Sequence, residues 1–376
     1  MNPAENKNSL VLLRELGQSI WLNGIDRQKL TDGTLEHLIE AYGLAGLSIS
    51  PATFGKAITQ DNCYQAVIEK EAKADYSASE IYEHLIVEDA RLAADHFQSL
   101  YRQTEGRDGF VSLEISPLLA HDTEATVQEA RRLWQEVDRL NIMLAIPATK
   151  AGLPAIEQLI SDGINVNVTL LFSVGRYLEM AHAYRGGLEK RLARGQPINR
   201  VASVASFFLG RIDLKVDRLL DEIARESDSY RTEIARGLRG KAALASAGFA
   251  YERFGEFYEQ SSWEQLAERE GRKQRLLWTS TSTKDPFYSD TKYVDSLIGP
   301  ETVNAMPMAT LDAYREHGQP EIRIWTAVHE ASDIMHQLAE LKIDLRIVDE
   351  NLEKEGIAQF IEPYNQLLAT LEQRRN

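Results

Sequence analysis

Short apolar runs alternate along the chain with longer stretches in which apolar residues return every three or four positions. The short runs read as strands, at residues 19–24, 44–50, 110–116, 142–147, 166–172, 201–208, 276–281 and 302–306. Many are continuously or almost continuously apolar, the pattern of strands covered on both faces. The stretches between them have helical period. Over 126–140, Val127, Ala130, Leu133, Trp134, Val137 and Leu140 form one stripe, and over 175–189 Tyr177, Met180, Ala181, Tyr184 and Leu188 form another. Pro154 opens a further helix that Asp162-Gly163 closes, since proline suits the first helical turn and glycine the position past the last.

Eight strands alternating with helices, without an internal repeat, predict an α/β fold closed into a parallel (β/α)8 TIM-type barrel, one domain over residues 1–376. A doubly wound open sheet is the competing fold. No Gly-x-Gly-x-x-Gly follows the first strand, so its dinucleotide-binding version has no support. The charge-rich, strand-poor stretch around 215–275 reads as extra helices packed outside the barrel. Residues 322–371 read as a second helical region, and 372–376 as a frayed end.

Composition narrows the partners. A chain of 376 residues with 43% hydrophobic content can bury a large core. Its net charge of −15 argues against nucleic acid and anionic membrane, because polyanion binding needs a basic face. A small anionic ligand needs only a few local cations and stays open. The single cysteine, Cys63, excludes an internal disulfide, fits a reducing cytosol and reads as a packed thiol rather than a catalytic one. No apolar run approaches the roughly 20 residues of a membrane-spanning helix. Residues 1–7 lack the charged-then-apolar plan of a signal peptide. A cytoplasmic protein is expected.

Barrel enzymes carry their chemistry at the C-terminal ends of the strands. Those positions hold Asn23, Ser48 and Ser50, Glu114, Ala145, Asn167 and Thr169, Ser206, then Ser280 and Ser282, with Arg211 and Lys284 just beyond two of the strands. Two cations near hydroxyls on neighbouring strands suit a phosphate. Glu114 sits in an apolar strand, where a buried carboxylate is costly without a partner or a role. Asn167 and Thr169 share one strand face and fit structural hydrogen bonding as well as ligand binding. Arg211 and Lys284 would read as solvated cations but for their place after adjacent strands. Lys150, five residues past Ala145, falls beyond its strand as a surface residue. His329 and His336 are seven apart and do not make the His-Glu-x-x-His spacing, so no metal is expected.

Several long motifs stand in a shared order. They are Ile20-Trp21-Leu22, Asp108-Gly109-Phe110-Val111-Ser112-Leu113-Glu114, and Gly163-Ile164-Asn165-Val166-Asn167-Val168-Thr169-Leu170-Leu171-Phe172. Ser203-Val204-Ala205-Ser206-Phe207-Phe208 follows with Arg211 and Asp213, then Leu277-Trp278-Thr279-Ser280-Thr281-Ser282-Thr283-Lys284. In these the chain resembles the longer bacterial transaldolases, from about Gly17 into the C-terminal region. The resemblance implies transfer of a dihydroxyacetone unit between sugar phosphates of the pentose-phosphate type, with no metal or organic cofactor. A lysine would form an imine with the ketose, and a carboxylate with an ordered water would move the protons. Carried across, Glu114 and Thr169 hold that water, Asn167 and Ser206 bind sugar oxygens, and Arg211, Ser280 and Lys284 bind the phosphate. The implied partner is a phosphorylated sugar or related polyol, with a homodimer left open.

Three positions depart from the family. Asn23 stands where it has the acid–base aspartate, Ser50 where it has a hydroxyl-binding asparagine, and Ala145, in Asn141-Ile142-Met143-Leu144-Ala145-Ile146-Pro147-Ala148-Thr149, where it has the Schiff-base lysine. A methyl group cannot attack a ketone. Losing the lysine alone would leave two nearby carboxylates facing each other, and Asn23 removes one negative charge with the positive one. The expectation is a barrel that binds a phosphorylated sugar or polyol without Schiff-base transfer. A transaldolase disabled or redesigned by substitution, and a non-catalytic barrel serving a partner, fit the same pattern.

Overall fold

A computed structural model of the chain describes residues 8–60, 63–226 and 228–375; residues 1–7, with the reading placed on them, lie outside these. Eight parallel strands close in chain order: β1 Gln18–Asn23, β2 Gly46–Ile49, β3 Phe110–Glu114, β4 Ile142–Pro147, β5 Val166–Leu171, β6 Ser203–Phe208, β7 Arg275–Thr279 and β8 Thr302–Met306. β1 pairs with both β2 and β8, which seals the ring. The sheet is a barrel and not an open one, so each apolar run is covered outside by helices and inside by the opposite wall.

The interior is layered. At the N-terminal end the Arg275 guanidinium pairs with Asp108 at 3.0 Å and donates to Ser19 at 2.8 Å, a buried plug. Above it lie Trp21, Phe110, Met143, Val204, Leu277 and Val303. Close packing there needs Gly46, since a Cβ at that position would meet the Trp21 ring at 2.6 Å. The topmost layer is polar and forms the mouth.

Helix ends follow local chemistry. The stripe expected over 126–140 is a helix over Thr123–Val137, shifted earlier because the Asp122 side chain caps Ala125 N at 3.0 Å and Asp138 ends it at φ +51°. Leu140 therefore lies beyond the helix and is exposed. The Pro154 helix runs over Gly152–Asp162 and stops at Gly163, φ +90°. Between β6 and β7 lie the helices Leu209–Glu226, Ser229–Leu238, Ala242–Tyr258 and Ser261–Ala267. The C-terminal region forms Ile324–Glu340 and Leu345–Arg375. The frayed end expected over 372–376 is helical over 372–375, where Arg375 pairs with Asp75 at 2.9 Å and Arg374 with Gln65 at 3.2 Å, and residue 376 lies outside the described residues. Among the described residues no helix is long and apolar enough to cross a membrane.

Candidate functional site

The mouth holds a cavity of about 330 Å3, within the range of small-molecule sites. Asn23, Ser48, Ser50, Glu114, Ala145, Asn167, Thr169, Ser206, Arg211, Ser280 and Ser282 all line it. Strand register explains the convergence. Glu114 is the Cα partner of Ala145, and Ala145 that of Asn167. Partnered residues of parallel strands face the same side, about 4.8 Å apart. The Ala145 methyl is thus a low point between a carboxyl and an amide.

The polar groups are partly engaged with one another. Asn167 Nδ2 donates to Ser112 Oγ at 2.9 Å, and Ser206 Oγ donates to Asn167 Oδ1 at 2.7 Å, which fixes the amide. Ser48 Oγ donates to Asn23 Oδ1 at 3.2 Å. Ser50 Oγ lies 3.3 Å from Thr53 Oγ1. Glu114 has no hydrogen-bond partner among the described residues, and burial raises its carboxyl to about 8, with Arg211 pulling the other way. At neutral pH it is mostly protonated, a donor that becomes a base slightly above neutrality.

Arg211 stands in the first turn of Leu209–Glu226, directly after β6. Its guanidinium lies over the rings of Phe208 and Phe360, 5.1 Å and 5.9 Å from their centroids. Burial lowers its pKa, and Nη1 is buried without a hydrogen-bond partner among the described residues. Gly210 lets this turn approach the end of β7: its N–H donates to Ser280 O at 3.1 Å, where a Cβ would come within 2.6 Å. Ser280 itself is held at φ +56°.

Lys284 is not brought to this cavity. It is exposed and lines an adjoining cleft with Asp213, Asp217 and Asp285. Lys150 is exposed past β4 and lines no part of the mouth, and Cys63 packs half-buried against the core. His336 is an exposed residue of Ile324–Glu340, 3.4 Å from Glu340. Among the described residues no group of three or more His, Cys, Asp or Glu could hold a metal ion.

Sequence reading missed part of the wall. Gln359, Phe360 and Pro363 of the C-terminal helix line the mouth, far in sequence from every strand end and without a local signal. Phe208 could have been found, because it alternates with Val204 and Ser206 on one face of β6. Among the described residues the finished site offers one carboxyl, one guanidinium, three amides and several hydroxyls. Such a set can hold a polyhydroxylated anion and move one proton.

Residues 20–371 match the family described as Transaldolase/Fructose-6-phosphate aldolase. The chain is 46% identical to Transaldolase 2 of Nostoc sp., over 97% of both chains. It is 43% identical to a transaldolase of Trichodesmium erythraeum, over 98% of this chain and 97% of that one, and 40% identical to a transaldolase of Mycobacterium bovis, over 97% and 96%.

Proposed function

The chain belongs to the transaldolase/fructose-6-phosphate aldolase family, and we propose that it binds a phosphorylated sugar or related polyol in the barrel mouth without performing Schiff-base transfer. One observation carries this reading: the Ala145 methyl occupies the low point between Glu114 and Asn167, and among the described residues no lysine lines the cavity. An imine needs a primary amine within bonding reach of the carbonyl carbon, and none of these side chains supplies one.

The rest of the mouth supports ligand binding. Arg211, with Nη1 unpartnered, and the Ser280 hydroxyl receive the phosphate, where charge and neutral donors act together. Asn167 and Ser206, already tied to each other, present fixed donors and acceptors to the sugar oxygens. Glu114 with Thr169 holds the water or hydroxyl through which a proton moves, in a step that has no imine as electron sink. Isomerisation, dehydration and aldol-type cleavage all use such a group. Lys284 stays outside the set unless the loop after β7 moves.

Thermal unfolding with a panel of sugar phosphates tests the reading. A ligand at a hundredfold excess over its Kd adds about 2.7 kcal/mol and raises the midpoint. Arg211→Met should weaken that binding by about tenfold or more. A panel that leaves the midpoint unmoved sinks the proposal.

A further inference from the structure

We propose that the recess over Ala145 is a cation subsite, and that the ligand places a primary ammonium there, so that the barrel takes an amino sugar phosphate. The inference rests on the sugar-phosphate reading and adds the ligand's second charge. The Glu114 side chain lines the cavity with no hydrogen-bond or ion-pair partner among the described residues. Beside it the β4 wall ends at a methyl, and beyond that stands Asn167. The gap is floored by Ala145 and flanked by the Glu114 carboxyl and the Asn167 amide, whose Nδ2 is turned to Ser112 on β3 and whose Oδ1 is turned to Ser206 on β6. The amide oxygen accepts one hydrogen bond, from Ser206, and keeps a second lone pair. Thr169 adds a hydroxyl at the same mouth.

A compact group with three donors and a positive charge matches that surround better than a hydroxyl does. Charge balance points the same way. Arg211 is the one cation lining the cavity among the described residues, and a phosphate would take it. Glu114 would then have no cation to pair with as a carboxylate and would keep its proton. An ammonium on the ligand pairs with Glu114 while the phosphate pairs with Arg211, so both buried charges are met. No covalent step is required. A bound ammonium would also bring the Glu114 carboxyl down from about 8, so that it binds as the carboxylate.

Calorimetric titration with glucosamine 6-phosphate and glucose 6-phosphate isolates the effect, since the two differ only by an amine for a hydroxyl at one carbon. The amino ligand should bind about tenfold tighter or more, a charge-assisted pair replacing a neutral contact. N-acetylglucosamine 6-phosphate, which has lost the charge, should lose the advantage. In Glu114→Gln the ratio of the two affinities should fall to about one. Equal affinity of the two ligands for the unaltered protein, or a preference that survives in Glu114→Gln, overturns the proposal. Should Gln at 114 unfold the barrel, Glu114→Asp tests the same point, with a reduced preference expected and an unchanged one contradictory. Binding of other sugar phosphates but not of glucosamine 6-phosphate overturns this inference alone. Binding of none removes the sugar-phosphate reading and the inference with it.

Discussion

In the function proposed, Glu114 is the residue on which the chemistry turns. Its carboxyl is raised to about 8 by burial, against an ordinary value of 4.5. The groups facing it are Arg211 from the helix Leu209–Glu226, which opposes the shift, and Tyr82 from the helix Ala78–Gln103, whose own phenol Glu114 helps to raise. The sign follows from linkage. The folded state holds the proton more tightly, so the stabilising term is full below the unfolded value near 4.5 and is lost as pH rises through about 8. Glu114→Gln removes the titration. The variant should therefore gain stability relative to the unaltered protein between pH 5 and pH 9, on the order of 3 kcal/mol, as read from denaturant midpoints. A stability difference that stays flat over that range would mean Glu114 ionises freely in the fold. The sequence made Glu114 legible as a buried carboxyl in an apolar strand. It could not show that the carboxyl lacks a hydrogen-bond partner, because that depends on groups from other strands and helices.

At the scale of elements, the C-terminal helix Leu345–Arg375 is the part that local reading could not place. Its helical character was visible, whereas its path over the mouth rests on distant contacts. Lys215 pairs with Glu355 at 2.6 Å, Arg176 with Glu353 at 3.6 Å, and Tyr364 meets the Tyr82 ring at 5.5 Å between centroids. Gly356 sits where the helix comes closest to the barrel. A Cβ there would lie 2.9 Å from Leu170 Cδ2 and 3.3 Å from Arg211 Nη1. Leu170 has little room to turn aside, being buried in the core. Gly356→Val should destabilise the fold by about 1–3 kcal/mol through overpacking, more than the helix propensity it gains. It should also weaken phosphate-ligand binding severalfold by displacing Arg211. Unchanged denaturation and binding would show that the helix does not press on the site. The loop after β7 is a second such case. Its position after a strand and the family resemblance put Lys284 with Ser280, but the turn at Ser280 leaves Lys284 on the adjoining acidic cleft.

For the whole molecule, the barrel was legible because eight apolar strands buried on both faces leave few other closed arrangements. The lining of the mouth was legible where strand register brings residues together, as at Glu114, Ala145 and Asn167, and illegible where the long helix at the chain's end supplies the wall. Asn23, Ser50 and Ala145 line one cavity, so their effects should couple. If the rest of the mouth has drifted with them, the triple change Asn23→Asp, Ser50→Asn and Ala145→Lys should restore little dihydroxyacetone transfer. Strong rescue in a coupled assay would instead mark a transaldolase disabled at three positions. The most direct measurement is turnover of the unaltered chain with fructose 6-phosphate and erythrose 4-phosphate, run beside borohydride reduction and intact mass. The expected result is no transfer and no added mass. Transfer with a trapped adduct would contradict it, and the position of the modified lysine would name the amine that does the work.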